Sequence, residues 1–389
     1  MECFGREREC ERLWARFRDG RNVLMLAPRR VGKTVLLNRL KEQSEARGYR
    51  CVVIDVEGRR DEKAFFRKMC ADIQEGIGVG QAVMSAFSGR LRRVLRGTDD
   101  GEDWRSLLLK TDWSEFADHL LAQLESEKDG PPWLLLIDEI PMFVKSLLES
   151  EGQQRVHDFL YRLRNLRQEH HKIRWLYTGS IGLDTIARRN GIEGALVDLE
   201  VETLEPFDRP TAEAFLSSLT RKRGRCLGPG AADRILSRLG WLAPYYLEKI
   251  AESALDIEAS DGPISVAAAD RALDSMLALA HRIYWTTWRE HLDKNFSDPE
   301  RNRLFRILAS VAQDEHGASL GTLQMALNKA EPVADEVLLA DLDTLVADGY
   351  VTPEDDGTRF RFRMQLLREW WLRYVVERKI PGGTDGQTD

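Results

Sequence analysis

Eight consecutive residues, Ala27-Pro28-Arg29-Arg30-Val31-Gly32-Lys33-Thr34, have the types and order needed to cradle a phosphate. Gly32 lets the backbone pass close beneath an anion. Successive backbone N–H groups form a nest, which the N-terminus of a following helix reinforces. Lys33 is placed to reach the β- and γ-phosphates, and Thr34 offers a hydroxyl to Mg²⁺. Pro28, Arg29, Arg30, Val31 and Val35 complete the expected nucleotide-contacting stretch. This is the Walker A pattern with Ala27 in place of its first glycine, a change tolerated where φ is negative. About a hundred residues further on, Leu134-Leu135-Leu136-Ile137 runs into Asp138 and Glu139. Asp138 is the expected Mg²⁺ ligand, directly or through water, and Glu139 the general base that polarises an attacking water. An Asp-Glu pair at a strand end is by itself just as readily a surface feature. Its pairing with the upstream loop carries the reading of a Mg-nucleotide site, with ATP and GTP not separated by these residues. A third candidate is Thr178-Gly179-Ser180. A hydroxyl there could touch a γ-phosphate, with Thr178 and Ser180 equally placed; the alternative is an ordinary strand-to-loop turn.

These residues need a scaffold, and the first half of the chain supplies an alternation of strand-like and helix-like segments. Apolar or β-branched runs at 22–26, 51–56, 133–137, 173–177 and 196–204 predict strands, and 31–45 has helical spacing. That order predicts an α/β fold with a parallel sheet flanked by helices. The candidate residues then fall at the C-terminal ends of strands, where open α/β sheets bind ligands. An insertion is expected at about 78–113. From 210 to about 279 the pattern is helical, with breaks at Gly228-Pro229-Gly230 and Gly262-Pro263. Residues 299–379 read as three helices, a hairpin across Pro353–Gly357 and a final helix, the order of a winged helix.

With 389 residues, 43% of them hydrophobic and 31% charged, the chain can bury a sizeable core. No apolar run is long enough to span a membrane. The charged start of the chain does not read as a signal peptide. Five scattered cysteines without a C-x-x-C pair read as reduced thiols, so a cytoplasmic location is expected. The histidines lack ligand spacing, and no metal beyond Mg²⁺ is expected. A formal net charge of −7 argues against general attraction to nucleic acid.

The chain resembles the archaeal-type ATPase family, in the STAND and AAA+-like branch of P-loop NTPases. The resemblance rests on Phe4-Gly5-Arg6-Glu7, on Ala27 to Thr34, on Leu134 to Glu139, and on Gly179-Ser180. It continues through Leu204-Glu205-Pro206-Phe207, Gly240-Trp241-Leu242-Ala243-Pro244-Tyr245-Tyr246-Leu247, and the segment from Tyr350 to Trp371. It implies that Phe4, Gly5 and Arg6 lie near the adenine and that Pro244 lies near the base. It also implies a P-loop ATPase core at 1–208, an all-helical lid at 209–296 and a winged-helix domain at 297–380; the composition of 381–389, with nothing to pack, separately predicts a disordered tail. The implied activity is hydrolysis of ATP to ADP and phosphate, driving a conformational switch. Arg188 and Arg189 are candidates for an arginine finger, against the alternative of a solvated helix end.

The winged helix poses a choice of partner. Its third helix, at 333–348, carries Asp335, Glu336, Asp341, Asp343 and Asp348 and no Lys or Arg, and the wing adds Glu354, Asp355 and Asp356. Eight acids facing phosphates would repel DNA. The expectation is therefore a protein partner or self-association. A DNA-associated, initiator-like ATPase and a nucleotide-binding scaffold with poor turnover are the alternatives. Arg359, Arg361 and Arg363 are expected to pair with nearby acids. The basic run from Arg90 to Arg96 is expected to be a solvated helix face, and Trp285, Trp288, Trp370 and Trp371 to be core.

Overall fold

A computed structural model describes residues 4–76, 112–127, 130–179, 182–258, 262–329 and 331–376. Ser180, the run from Arg90 to Arg96, the expected insertion up to residue 111 and the C-terminal tail lie outside the described residues. The chain divides into two compact units. One comprises Met1–Ala27 and Lys33–Leu204; the other comprises Pro28–Gly32 and Glu205–Asp389.

The first unit is built on a five-stranded sheet in the order β2-β3-β4-β1-β5, with every neighbouring pair parallel. The strands are β1 (Asn22–Leu26), β2 (Arg50–Asp55), β3 (Trp133–Asp138), β4 (Ile173–Thr178) and β5 (Leu199–Thr203). Parallel strands need crossovers, and here they are helical. Described helices of the unit are α1 (Glu7–Arg18), α2 (Lys33–Ser44), α3 (Glu62–Gly76), α4 (Trp113–Ser126), α5 (Ile140–Glu151), α6 (Gln153–Glu169) and α7 (Leu183–Arg189). All six residues of β3 are buried, which accounts for the unbroken apolar run Trp133-Leu134-Leu135-Leu136-Ile137. Phe65, Phe66, Phe143 and Phe159 meet at centroid distances of 4.9–6.1 Å and form an aromatic knot among α3, α5 and α6. Arg167 of α6 is buried and ties down β4 and the approach to β5. It donates to both Asp198 oxygens at 2.7 Å, to Ala195 O at 2.8 Å and to the Tyr177 hydroxyl at 3.2 Å. The segment expected as a strand from 196 opens differently: a short 3-10 turn at Glu193–Ala195 precedes β5. Trp113 belongs to α4 rather than to an insertion, with Asp112 capping the helix through Ser114 N and Glu115 N.

The second unit begins with α8 (Arg209–Lys222), α9 (Ala231–Leu239), α10 (Pro244–Ile257) and α11 (Val266–Met276). Then come α12 (Ile283–Asn295), α13 (Asp298–Gln313), β6 (Ala318–Ser319), α14 (Leu320–Asn328) and α15 (Asp335–Ala347). The hairpin of β7 (Val351–Glu354) and β8 (Arg359–Phe362) follows, and then α16 (Gln365–Trp371). β6 pairs antiparallel with β8, giving a three-stranded sheet in the order β6-β8-β7 and the element order of a winged helix. The tryptophans are core, as expected: Trp285, Trp288 and Trp371 are at most 1% exposed and Trp370 is 3% exposed. Trp288 Nε1 donates to the Tyr246 hydroxyl at 2.6 Å, Trp285 Nε1 donates to Met276 O at 2.7 Å, and the Tyr350 hydroxyl donates to Trp288 O at 2.5 Å. Trp285, Trp288 and Tyr350 thereby avoid the cost of burying a polar edge unpaired, whereas Nε1 of Trp370 and of Trp371 is buried without a hydrogen-bond partner among the described residues.

Candidate nucleotide site

The site is built where β1 gives way to α2. β1 is short and apolar, with Val23, Leu24 and Met25 buried. α2 starts at Lys33 and buries Leu36, Leu37 and Leu40 on one face. The connecting residues twist sharply: Gly32 has φ 94° and Arg30 has φ 69°. Glycine takes up such a φ without steric penalty; arginine does not, and a non-glycine residue held there costs about 1–3 kcal/mol. The strain of the tight loop thus falls on Arg30, while Ala27, where the pattern has a glycine, does not adopt a positive φ. Left-handed residues within a short loop turn successive N–H groups to one side, which is the geometry of an anion nest. Arg29 and Arg30 carry no ion pair among the described residues, and Arg29 Nε is buried without a hydrogen-bond partner there. A polyphosphate would supply the missing negative charge.

Opposite the start of α2, the end of β3 delivers two carboxylates. Lys33 Nζ lies 2.6 Å from Glu139 Oε1 and 3.3 Å from Asp138 Oδ1. All three side chains are largely enclosed, with exposures of 11% for Lys33, 11% for Asp138 and 16% for Glu139. Burial raises the Asp138 pKa above the usual carboxylate value. The Lys33 cation pulls it back down and the neighbouring Glu139 adds to the rise. Asp138 Oδ1 also accepts from the Glu139 N–H at 2.9 Å. Glu139 itself is left-handed, with φ 57° and ψ 28°, just before α5 begins. A strained backbone at an acidic strand end is a common mark of a functional position. Thr34 is exposed and Val35 half-buried in the first turn of α2. A hydroxyl and a carboxylate are hard oxygen donors, the set Mg²⁺ prefers. The residues present therefore fit both a nucleotide and its metal.

β4 lies between β3 and β1, so its C-terminal end is adjacent to both; Thr178 pairs in register with Met25. Thr178 is fully buried, and its Oγ1 has no hydrogen-bond partner among the described residues. Gly179 follows for a steric reason. A Cβ there would come within 2.3 Å of Pro141 Cδ in the first turn of α5. Sequence reasoning gave Gly179 only a turn role and did not connect it with Pro141.

The remaining expected residues are distributed as follows. Phe4 is half-buried; Gly5 has φ 64°, and Arg6 is 3% exposed and paired with Glu9 at 2.7 Å at the start of α1. In the second unit, Pro244 opens α10, and its Cγ is 3.9 Å from where a Cβ on Gly32 would stand. Arg188 and Arg189 are exposed at the end of α7 and have interaction partners. Pro28 and Val31 flank the strained turn, Val31 being fully buried.

The acidic third helix needs a correction. Asp341 does not face outward: its side chain is 3% exposed and accepts from Arg303 at 2.7 and 3.2 Å. The Asp348 side chain is 8% exposed and lies 3.8 Å from His291. The outward face of α15 carries Asp335, Glu336, Val337, Leu339 and Asp343, with no Lys or Arg. On the β7–β8 hairpin, Arg361 pairs with Glu354 and Arg359 with Asp355, as expected, while Arg363 has no ion pair among the described residues.

Residues 17–187 match the AAA domain family. The match runs from the end of α1 into α7 and so takes in the loop from Ala27 to Thr34 and the Asp138-Glu139 pair. No curated protein matches it. Among solved structures, the Walker-type ATPase PABY2304 of Pyrococcus abyssi is similar over 95% of each chain, at 17% identity and a TM-score of 0.64. The ORC2 protein of Aeropyrum pernix, solved as ADPNP and ADP complexes, is similar over 96% of each chain, at 14% identity and a TM-score of 0.57. At such identities the likeness is one of fold, a P-loop sheet followed by helical elements. No described helix is long and apolar enough to cross a membrane.

Proposed function

We propose that this protein binds Mg-ATP at the loop from Ala27 to Thr34 and hydrolyses it, using turnover as a conformational switch on a protein partner. The observation that carries the reading is the meeting of Lys33 with both Asp138 and Glu139 at 2.6–3.3 Å. Without nucleotide, Lys33 is held between the two acids. A polyphosphate competes for Lys33, and its departure leaves Glu139 free to accept a proton from water and Asp138 free to hold Mg²⁺ with Thr34. Thr178, with its unmatched buried hydroxyl, and Ser180 beyond it are the proposed γ-phosphate contacts. Phe4, Gly5, Arg6 and Pro244 are proposed to line the base.

The functional division proposed is a core at 1–208, a lid at 209–296 and a winged helix at 297–380. A protein rather than DNA is the proposed partner, because the outward face of α15 offers acids and apolar side chains but no cation. The test is phosphate release from purified protein with Mg-ATP, with and without duplex DNA, beside Lys33→Ala and Glu139→Gln. Turnover abolished by both substitutions and unchanged by DNA is the expected result. Stimulation by DNA would replace the protein-partner reading with an initiator-like one. Tight ATP binding without turnover would make the protein a nucleotide-dependent scaffold.

A further inference from the structure

We infer that Tyr245 is a positioning residue for the phosphate-binding loop and acts through Arg30. The inference rests on the nucleotide reading above and deepens it. Arg30 is the one non-glycine residue between 27 and 35 with a left-handed backbone, φ 69°. A side chain in that region stays there only if its surroundings over-determine it. Its guanidinium lies over the Tyr245 ring, with Cζ 4.1 Å from the centroid. It has no ion pair among the described residues, so the ring face is its principal fixed contact.

The ring is itself immobilised. Tyr245 sits in the first turn of α10, edge-to-face with Tyr246 at 5.2 Å and with Tyr284 at 6.1 Å. Tyr246 is fully buried, stacks on Trp285 at 5.0 Å and accepts from Trp288 Nε1 at 2.6 Å. The loop meets the same compact unit on either side of Arg30. A Cβ on Gly32 would be 3.9 Å from Pro244 Cγ, and one on Gly349 would be 3.2 Å from Pro28 Cβ. Pro28 and Gly32 thus run close to residues of that unit, and Arg30 between them carries both the strain and the stack on Tyr245. If the stack is released, Arg30 can relax to a negative φ, which turns the N–H groups of Val31 and Gly32 away from a common anion. Affinity for the nucleotide falls, while Glu139 acts unchanged on whatever is bound.

The test combines Tyr245→Leu, Tyr245→Phe, Arg30→Gly and the double variant Tyr245→Leu/Arg30→Gly. Each is measured for Kd with a fluorescent ATP analogue and for kcat and KM in phosphate release, with thermal melting as the folding control. Tyr245→Leu keeps apolar bulk and removes the π face. Binding about tenfold weaker is expected, the scale of a partly desolvated cation–π contact, with KM rising and kcat nearly kept. Tyr245→Phe retains the ring and should restore wild-type affinity. Glycine adopts φ 69° freely, so on the Arg30→Gly background Tyr245→Leu should have little further effect. Unchanged binding by Tyr245→Leu, or an equal loss on both backgrounds, overturns the inference while leaving the nucleotide site intact. If the wild-type protein binds no ATP analogue, the reading of the loop itself falls, and the inference with it.

Discussion

Asp138 and Glu139 at the end of β3 and the acids of α15 are the same residue types in two very different settings. At β3, two enclosed carboxylates converge on one lysine, and the backbone is bent into the left-handed region to bring the second of them round. On α15 the carboxylates diverge. Asp341 turns inward to Arg303, Asp348 lies beside His291, and Asp335, Glu336 and Asp343 stand in water. The first arrangement stores charge that a ligand can redistribute. The second divides its charge between a structural ion pair and a solvated surface. What separates a site from a patch is therefore convergence on a common point under partial burial, and the number of acids says little about it.

Substitutions can break this contrast. The largest effect is expected at the β3 end. Lys33→Ala should abolish nucleotide binding, read by titration with an ATP analogue. Glu139→Gln should keep binding and lower kcat by roughly 10²–10⁴-fold, the range for losing a general base. Asp343→Asn on α15 should change neither. If it lowers kcat comparably, the contrast fails. Next comes Arg303→Ala, which strands the Asp341 carboxylate in the interior and should cost about 3–5 kcal/mol in urea unfolding. Adding Asp341→Leu should recover much of that loss, since no buried charge then remains unpaired. A loss below about 1 kcal/mol would mean that Asp341 is solvated like its neighbours.

A smaller effect concerns pH. Burial raises the Asp138 pKa in the folded state, so the folded protein holds that proton more tightly than the unfolded chain. The contribution of Asp138 therefore favours folding as pH falls toward the ordinary carboxylate value and is lost as pH rises through the raised one. Nucleotide-free Asp138→Asn should lack this component of the pH dependence. At neutral pH it should melt on the order of a few degrees above wild type, while losing Mg²⁺-dependent nucleotide binding. A lower melting temperature would mean that the carboxylate's attraction to Lys33 outweighs the cost of burying it.

Much of the first unit was legible in the sequence because its signals are local. A β-branched or leucine-rich run bounded by breakers defines a strand, and the G-K-T triplet needs only a strand before it and a helix after it. β6 escaped notice because two residues, Ala318 and Ser319, carry no periodicity; they become a strand only through pairing with β8. Asp341 was misread for a related reason. Its charge suggested solvent, but its position on the inner face of α15 places it against Arg303, 38 residues earlier in the chain. The stack of Arg30 on Tyr245 was equally hidden, because no local rule links an arginine in a loop with a tyrosine more than two hundred positions away.

The close approach of Gly179 to Pro141 bears on how sequences on this backbone can vary. With only 2.3 Å available, no side chain fits at 179 while a proline ring occupies 141. The proline in turn sits in the opening turn of α5, directly after the left-handed Glu139. The two positions are thus coupled in one direction. A lineage or library that replaces the glycine must first give up the proline, and with it the ring that stiffens the chain just beyond the acid pair. Drift at 179 is blocked for as long as the proline stands, while 141 is free of this constraint, so the order of change should be proline first and glycine second.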